Sequence, residues 1–374
     1  PGWVTDPFKM TRREGWLLGR GVIDDKGPAV LSLYAGAFLL REGIVARYTF
    51  RALLGCDEEV GMSDVHHYLE RHDDPLFLFT PDADFPVCNA EKGCFGATFR
   101  TAAIPGGLIR SWSGAEATNA IPGESVLELA LDASELPAPV ANADRLTIEA
   151  IEPGASRIVA HGIGGHASLP DGTVNAIALI VGYLRESGIL GEGAAPALDL
   201  LERIHADTAG SGIGIATQSP AFGPLTCNAG TIALTDDGAL EQTIDVRFPD
   251  SITEGELAAA CSALAKRFGG AVEVDRAKPP FSVDATSPQV RALIDIYNQT
   301  TGRDAEPFAM GGGTYARNFK SAVSFGPEDN GMELPEWAGT MHGPNEAASE
   351  QLLREALKMY ILAILRLMEL DYDE

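Results

Sequence analysis

With 374 residues, 45% of them hydrophobic, the chain has material for a large buried core and, by length, for two domains, which excludes disorder as its overall state. Its 53 acidic residues against 28 basic ones, a formal net charge of −25, leave little of the basic surface that nucleic acid or an anionic membrane requires, so neither is expected as a partner. Five scattered cysteines (Cys56, Cys88, Cys94, Cys227 and Cys261) lack metal-type spacing and read as reduced core residues of a cytoplasmic protein; no signal peptide and no bilayer-spanning apolar run is seen.

The opening Pro1-Gly2-Trp3-Val4, without a leading methionine, reads as the middle of a loop. Trp16-Leu17-Leu18 then leads to Gly21-Val22-Ile23-Asp24-Asp25-Lys26-Gly27-Pro28, where an apolar pair runs into two acids just before a helix expected over residues 28–42. Pro is tolerated at a helix start, which places the acids at the carboxyl edge of a strand, the edge where open α/β sheets bind ligands. Taken alone, Asp24 and Asp25 serve equally well as helix caps. Residues 47–54 alternate like a strand and end at Asp57-Glu58-Glu59. Ser63 is expected to cap a helix to about residue 72, and an apolar strand over 76–79 ends at Asp82-Ala83-Asp84. Strands alternating with helices predict a mixed, largely parallel sheet with the three acidic tips along one edge.

From about residue 99 the texture changes. Strand candidates at 125–131, 145–151, 157–161 and 239–248, with helical runs at 174–187, 195–206 and 254–268, predict an inserted α+β domain with antiparallel sheet. Helix and strand return with a helix over 288–300, a turn at Gly311-Gly312-Gly313, a buried strand at 322–325 and a last helix capped by Ser349. The expected class is therefore α/β, with a discontinuous domain of residues 1–98 and 283–374 and an inserted one of 99–282.

Adjacent acids at Glu58-Glu59 would, in isolation, be a solvated loop. Four acids after strands (Asp24, Glu58, Glu59, Asp82) repel one another unless positive charge sits among them, and a pair of divalent ions removes that problem. Carboxylates with imidazole suit zinc, with manganese or cobalt as alternatives, and His342 is the obvious nitrogen donor. A bridging Asp, one liganding Glu and a neighbouring Glu free to take a proton from water make a hydrolase.

The motifs carry a more specific message. Gly19-Arg20-Gly21 with Asp24-Asp25-Lys26-Gly27-Pro28, Asp57-Glu58-Glu59, Pro81-Asp82-Ala83-Asp84-Phe85-Pro86, Asn119-Ala120-Ile121-Pro122, Gly165-His166-Ala167-Ser168, Asp245-Val246-Arg247-Phe248-Pro249, Gly311-Gly312-Gly313-Thr314-Tyr315-Ala316-Arg317 and His342-Gly343-Pro344-Asn345-Glu346 follow in order along nearly the whole chain. Together they resemble the dinuclear-zinc aminoacylase and glutamate carboxypeptidase superfamily, and within it the PepV-like dipeptidases. The resemblance implies two zinc ions bridged by Asp24, with Glu59 and His342 completing one site and Asp82 belonging to the other. It implies Glu58 as general base and later acid, and His166 as a donor to the oxyanion. Asn119, Arg247, Gly312 and Gly313 are implied substrate contacts, the Arg fork suiting a peptide carboxylate. The length of the insert resembles the PepV lid and implies a monomer. The family also carries a His-x-Asp element about ten residues before the Gly-Trp found here as Gly2-Trp3, and neither residue is in the given sequence. One metal site is therefore expected to lack its His ligand in this chain. The expected activity is metallodipeptidase, with a small peptide as substrate. An N-acyl amino acid deacylase and a catalytically dead fragment are the alternatives.

Overall fold

The C-terminal helix, Glu350–Glu369, starts where the sequence expects it, with the Ser349 hydroxyl accepting from Leu352 N–H. Its inner face carries Met359, Tyr360, Ala363 and Ile364 into the largest core of its unit, where Tyr360, Phe79, Phe85, Phe325 and Tyr297 meet in tilted and edge-to-face ring contacts. Each such ring fully buried contributes on the order of 1.5–3 kcal/mol. The computed structural model describes residues 2–329 and 331–372. The chain forms two units, one of residues 1–91 with 281–374 and one of residues 92–280.

In the first unit, helices Lys26–Arg41, Pro288–Thr301 and Glu350–Glu369 share that core with a mixed sheet. Its order is Phe281–Ser282, Cys88–Glu91, Ala322–Ser324, Leu78–Thr80, and Phe308–Met310 also pairs with Cys88–Glu91. The pairs Ala322–Ser324 with Leu78–Thr80 and Phe308–Met310 with Cys88–Glu91 are parallel, and the others antiparallel. A second, three-stranded sheet does the work of convergence. Trp16–Leu18 lies between Thr11–Arg13 and Ala347–Ser349, with Leu18 opposite Ala347. The segment that leads to Asp24 and the one that follows His342 are thereby neighbours despite some 320 residues between them.

Four expectations need correction here. The strand before the first acids ends at Leu18, so Asp24 follows a loop, and the acidic tips do not share one sheet edge. Asp25 occupies the N-cap position of Lys26–Arg41, yet its side chain makes no capping bond. Residues 47–54 form no strand. Residues 48–54 line a cleft of about 910 Å³ whose other wall includes Leu78–Thr80, so the alternating pattern finds no ladder partner there among the described residues. The helix after the second acidic turn is also shorter than expected, Ser63–Leu69, with Met62 rather than Ser63 at its cap.

The second unit is α+β with antiparallel sheets, as its pattern predicts. One sheet orders Ile109–Ser113, Glu124–Leu129, Ala155–His161 and Leu146–Glu152; helices Ala176–Ser187 and Ala195–Ile204 cover its core. The other orders Thr226–Leu234, Leu240–Phe248, Gly93–Arg100 and Ala271–Lys278, under helix Glu254–Arg267. Because Gly93–Arg100 is paired on both sides within this sheet, the unit begins at Lys92 rather than at residue 99. Phe281–Ser282 pairs with Cys88–Glu91 and so belongs to the first unit.

Candidate metal centre

The loop that carries Asp24 is wrapped around one buried carboxylate. Glu346, 0% exposed, accepts from Gly21 N–H (2.9 Å) and Arg20 Nη1 (2.9 Å) on Oε2, and from Ile23 N–H (3.1 Å) and Asp24 N–H (3.3 Å) on Oε1. A carboxylate taking several such bonds fixes the backbone that supplies them. Arg20 also donates to Gly343 O (2.8 Å), so the loop holding His342 is tied to the same point. Gly27 closes the turn: its N–H donates to Gly21 O, and a Cβ there would collide with the carbonyl of Val22.

Glu58 and Glu59 sit on one short turn, Glu58–Val60. Asp57 Oδ2 accepts from Ser63 N–H (2.7 Å) and from the Ser63 hydroxyl. Asp64 Oδ2 accepts from Cys56 N–H (2.7 Å) and from the Tyr315 hydroxyl (2.8 Å), while Tyr315 accepts from Asp57 N–H (3.2 Å). Tyr315 belongs to the glycine-rich motif, which thus supports the turn that carries the acids.

These loops bring two sets of donors together. Asp24, Glu59 and His342 place one ligand-type atom each within 4.8 Å of one another, and so do Asp24, Asp82 and Glu328. His342 Nε2 lies 2.8 Å from Asp24 Oδ2 and 3.4 Å from Glu59 Oε1. Hydrogen bonding to Asp24, with the charge of Glu59, raises the imidazolium to about 9. The acids rise as well, in their case because the charged form is the one disfavoured. Burial, then the charges of Asp82 and Glu59, pushes Glu58 up to about 8; burial, then Asp24 and Glu59, pushes Asp82 to about 7. Asp25 and Glu328 rise to about 9, burial first and then Asp82 in both cases. Without added cations the protein must hold protons here to keep its own charges apart.

The donor set fits divalent ions. Two donor groups share Asp24, the outer one offering two oxygens and a nitrogen, the inner one three oxygens. A buried, unpartnered oxygen on Asp25 borders the cluster. Glu328 has no place in the sequence reading, although the same signal marks it: it follows the apolar stretch ending at Phe325, a further strand running out into acid. Glu346, quoted there only as part of a motif, is the post that both loops grip.

Gly312 and Gly313 have reasons of their own within the first unit. A Cβ on Gly313 would strike Arg317 and press on Glu91, and one on Gly312 would come 2.8 Å from Met310 Cε. In the second unit, His166 pairs with Ala120 across a two-residue ladder, its Nε2 3.4 Å from the Asn119 amide. Arg247 is buried, its Nε 2.6 Å from Asp245 Oδ1 and its Nη2 3.2 Å from Asp245 Oδ2, so this face of the fork grips a carboxylate of its own chain.

The sequence profile of peptidase family M20/M25/M40 matches residues 1–366. YtjP of Bacillus subtilis, whose name assigns it provisionally as a dipeptidase, is 30% identical over 340 residues, covering 87% of this chain and 72% of that protein. The Beta-Ala-Xaa dipeptidase of Lactobacillus delbrueckii subsp. lactis is 29% identical over 387 residues, covering 100% and 79%. Among solved structures, the dipeptidase Dug1p of Saccharomyces cerevisiae superposes with a TM-score of 0.50 at 14% identity, over 99% of this chain and 76% of that one. Aminopeptidase PepT of Bacillus cereus gives 0.51 at 14%, over 96% and 76%. At such identity the two structures speak to the fold alone.

Proposed function

The chain belongs to peptidase family M20/M25/M40, and on that premise we propose that it hydrolyses dipeptides with two zinc ions held by Asp24, Glu59 and His342 on one side and by Asp24, Asp82 and Glu328 on the other. The observation that carries the reading is the sharing of Asp24 between two donor groups with Glu58 raised beside them. The names of the relatives, among them a Beta-Ala-Xaa dipeptidase, favour a two-residue substrate over an acylated amino acid. The all-oxygen inner group should bind zinc more weakly than the outer one and accept manganese as readily.

Divalent ions held by these residues would supply the charge that polarises a scissile carbonyl and acidifies water. Glu58 takes the proton of the attacking water and returns it to the leaving amine. His166 is assigned as donor to the oxyanion, and Asn119 as a substrate contact. Arg247 is assigned to the peptide carboxylate, with Asp245 orienting its guanidinium. Five free cysteines accord with a cytoplasmic location; among the described residues no helix is long and apolar enough to cross a membrane. We take the working form to be a monomer.

A panel of dipeptides and N-acyl amino acids, assayed on the zinc-loaded chain, tests the reading. Turnover of dipeptides is expected; turnover of only the N-acyl compounds, or of neither, would overturn it.

A further inference from the structure

Three polar contacts of His166 bear on where its ring proton sits, and only one of them has a fixed direction. Its Nδ1 lies 2.7 Å from the Ser168 hydroxyl and 3.2 Å from the Ser168 backbone nitrogen, whose N–H points at it. Its Nε2 lies 3.4 Å from the Asn119 amide. A hydroxyl can donate or accept, and a half-turn of an amide exchanges its two ends, so neither settles where the imidazole proton is. A backbone N–H can only donate. It requires a bare lone pair on Nδ1, and a hydroxyl 2.7 Å from that lone pair must donate as well.

We infer that Ser168 is a positioning residue that holds His166 in the tautomer with its proton on Nε2, through two donors converging on Nδ1. The Asn119 amide then turns its carbonyl oxygen towards Nε2–H in the resting protein. His166 is thus a neutral donor whose single N–H leaves the ring on the side away from Ser168, the form an oxyanion contact needs.

The surroundings keep this arrangement in place. Ala167 N–H donates to Asn119 O (2.8 Å), and the buried Asn228 donates from Nδ2 to Ala167 O (2.7 Å). The chain on both sides of His166 is therefore anchored, one side in the Gly165–His166 ladder and the other by Asn228. Leu169 N–H donates back to His166 O (3.0 Å), closing the turn that aims the Ser168 N–H at the ring.

The inference deepens the proposed role of His166 and rests on it for its catalytic meaning, but its physical content can be read without turnover. Long-range proton–nitrogen correlation on the 15N-labelled, zinc-loaded chain, with His166 assigned by its loss in His166→Gln, reports which ring nitrogen carries the proton. The expected signal is Nε2–H for His166. Ser168→Ala removes one of the two donors and is expected to give a mixed tautomer signal and a fall in kcat of about fivefold, the equivalent of one hydrogen bond of ~1 kcal/mol, with KM little changed. Ser168→Thr, which keeps both donors, is expected to restore signal and kcat together. Wild-type His166 carrying its proton on Nδ1 would overturn the inference, as would a Ser168→Ala spectrum identical to wild type. A wild-type chain that hydrolyses no dipeptide while showing Nε2–H would instead refute the proposed function and leave the tautomer assignment standing.

Discussion

Each unit buries ionisable groups, and the two do so in opposite ways. In the second unit, Asp245 is 0% exposed and is met by Arg247 through two hydrogen bonds and by Arg276, so its charge is balanced inside the chain. In the first unit, Asp24, Asp25, Glu58, Asp82 and Glu328 crowd together with His342 as the cationic partner of Asp24 and Glu59, and four of the acids are driven well above the carboxylate range. A balanced buried pair is a structural part. An unbalanced cluster held in place by a dedicated clamp, Glu346, is a site prepared for a cation from outside.

Substitutions should separate the two. The largest effect is expected for Glu58→Gln, about a 10³-fold loss of kcat with zinc content unchanged, because it removes proton transfer without removing a proposed ligand. Steady-state rates and metal analysis on one preparation check this. Next comes Asp245→Asn, which leaves two guanidinium groups without their counter-charge and should cost about 3–5 kcal/mol in urea unfolding. Asp82→Asn should do the reverse in metal-free protein, raising Tm by relieving repulsion, while weakening zinc. If both substitutions destabilise the metal-free chain alike, the contrast between the units fails.

Glu346→Gln should lower zinc affinity by about tenfold to a hundredfold, since it loosens the loops that present Asp24 and His342 while leaving both side chains in place. Competition with a chromophoric chelator measures it, and an unchanged affinity would reduce Glu346 to a fold-stabilising contact.

A smaller but more diagnostic effect lies in pH. The raised acids bind protons in the folded state that an unfolded chain, with carboxyl groups at about 4, has already released. Their contribution is therefore greatest below about 4 and is lost as pH climbs through about 7 to 9. His342, raised to about 9, adds in the same direction, its share being complete below about 6.5 and lost on passing 9. Metal-free protein should thus melt at lower temperature at pH 9 than at pH 5. Zinc should cancel the drop, raising Tm more at the higher pH. A metal-free Tm that rises between those values would contradict this electrostatic picture.

Much of this was legible in the residues. Asp24, Glu59 and His342 lie together as the motifs suggested, and so does Asp82 with Asp24, the last because it follows the strand Leu78–Thr80 of the core sheet. Glu328 obeys the same rule but sits outside any quoted motif. The clamp by Glu346 could not be read, since it depends on four donors distributed over residues 20–24. The strand pattern of residues 47–54 misled because alternation reports a face to bury, whereas a strand also needs a hydrogen-bonded neighbour. The pairing of Arg247 with Asp245, two positions apart on one strand, places both side chains on the same face, which the period of a strand does encode.

Calorimetric titration of zinc into the metal-free chain at pH 8, with Asp24→Asn beside wild type, goes to the centre of the account. Two ions of unequal affinity per chain are predicted, and loss of the shared carboxylate should weaken both. Zinc binding left intact by Asp24→Asn, or no saturable binding in the wild type, would contradict it.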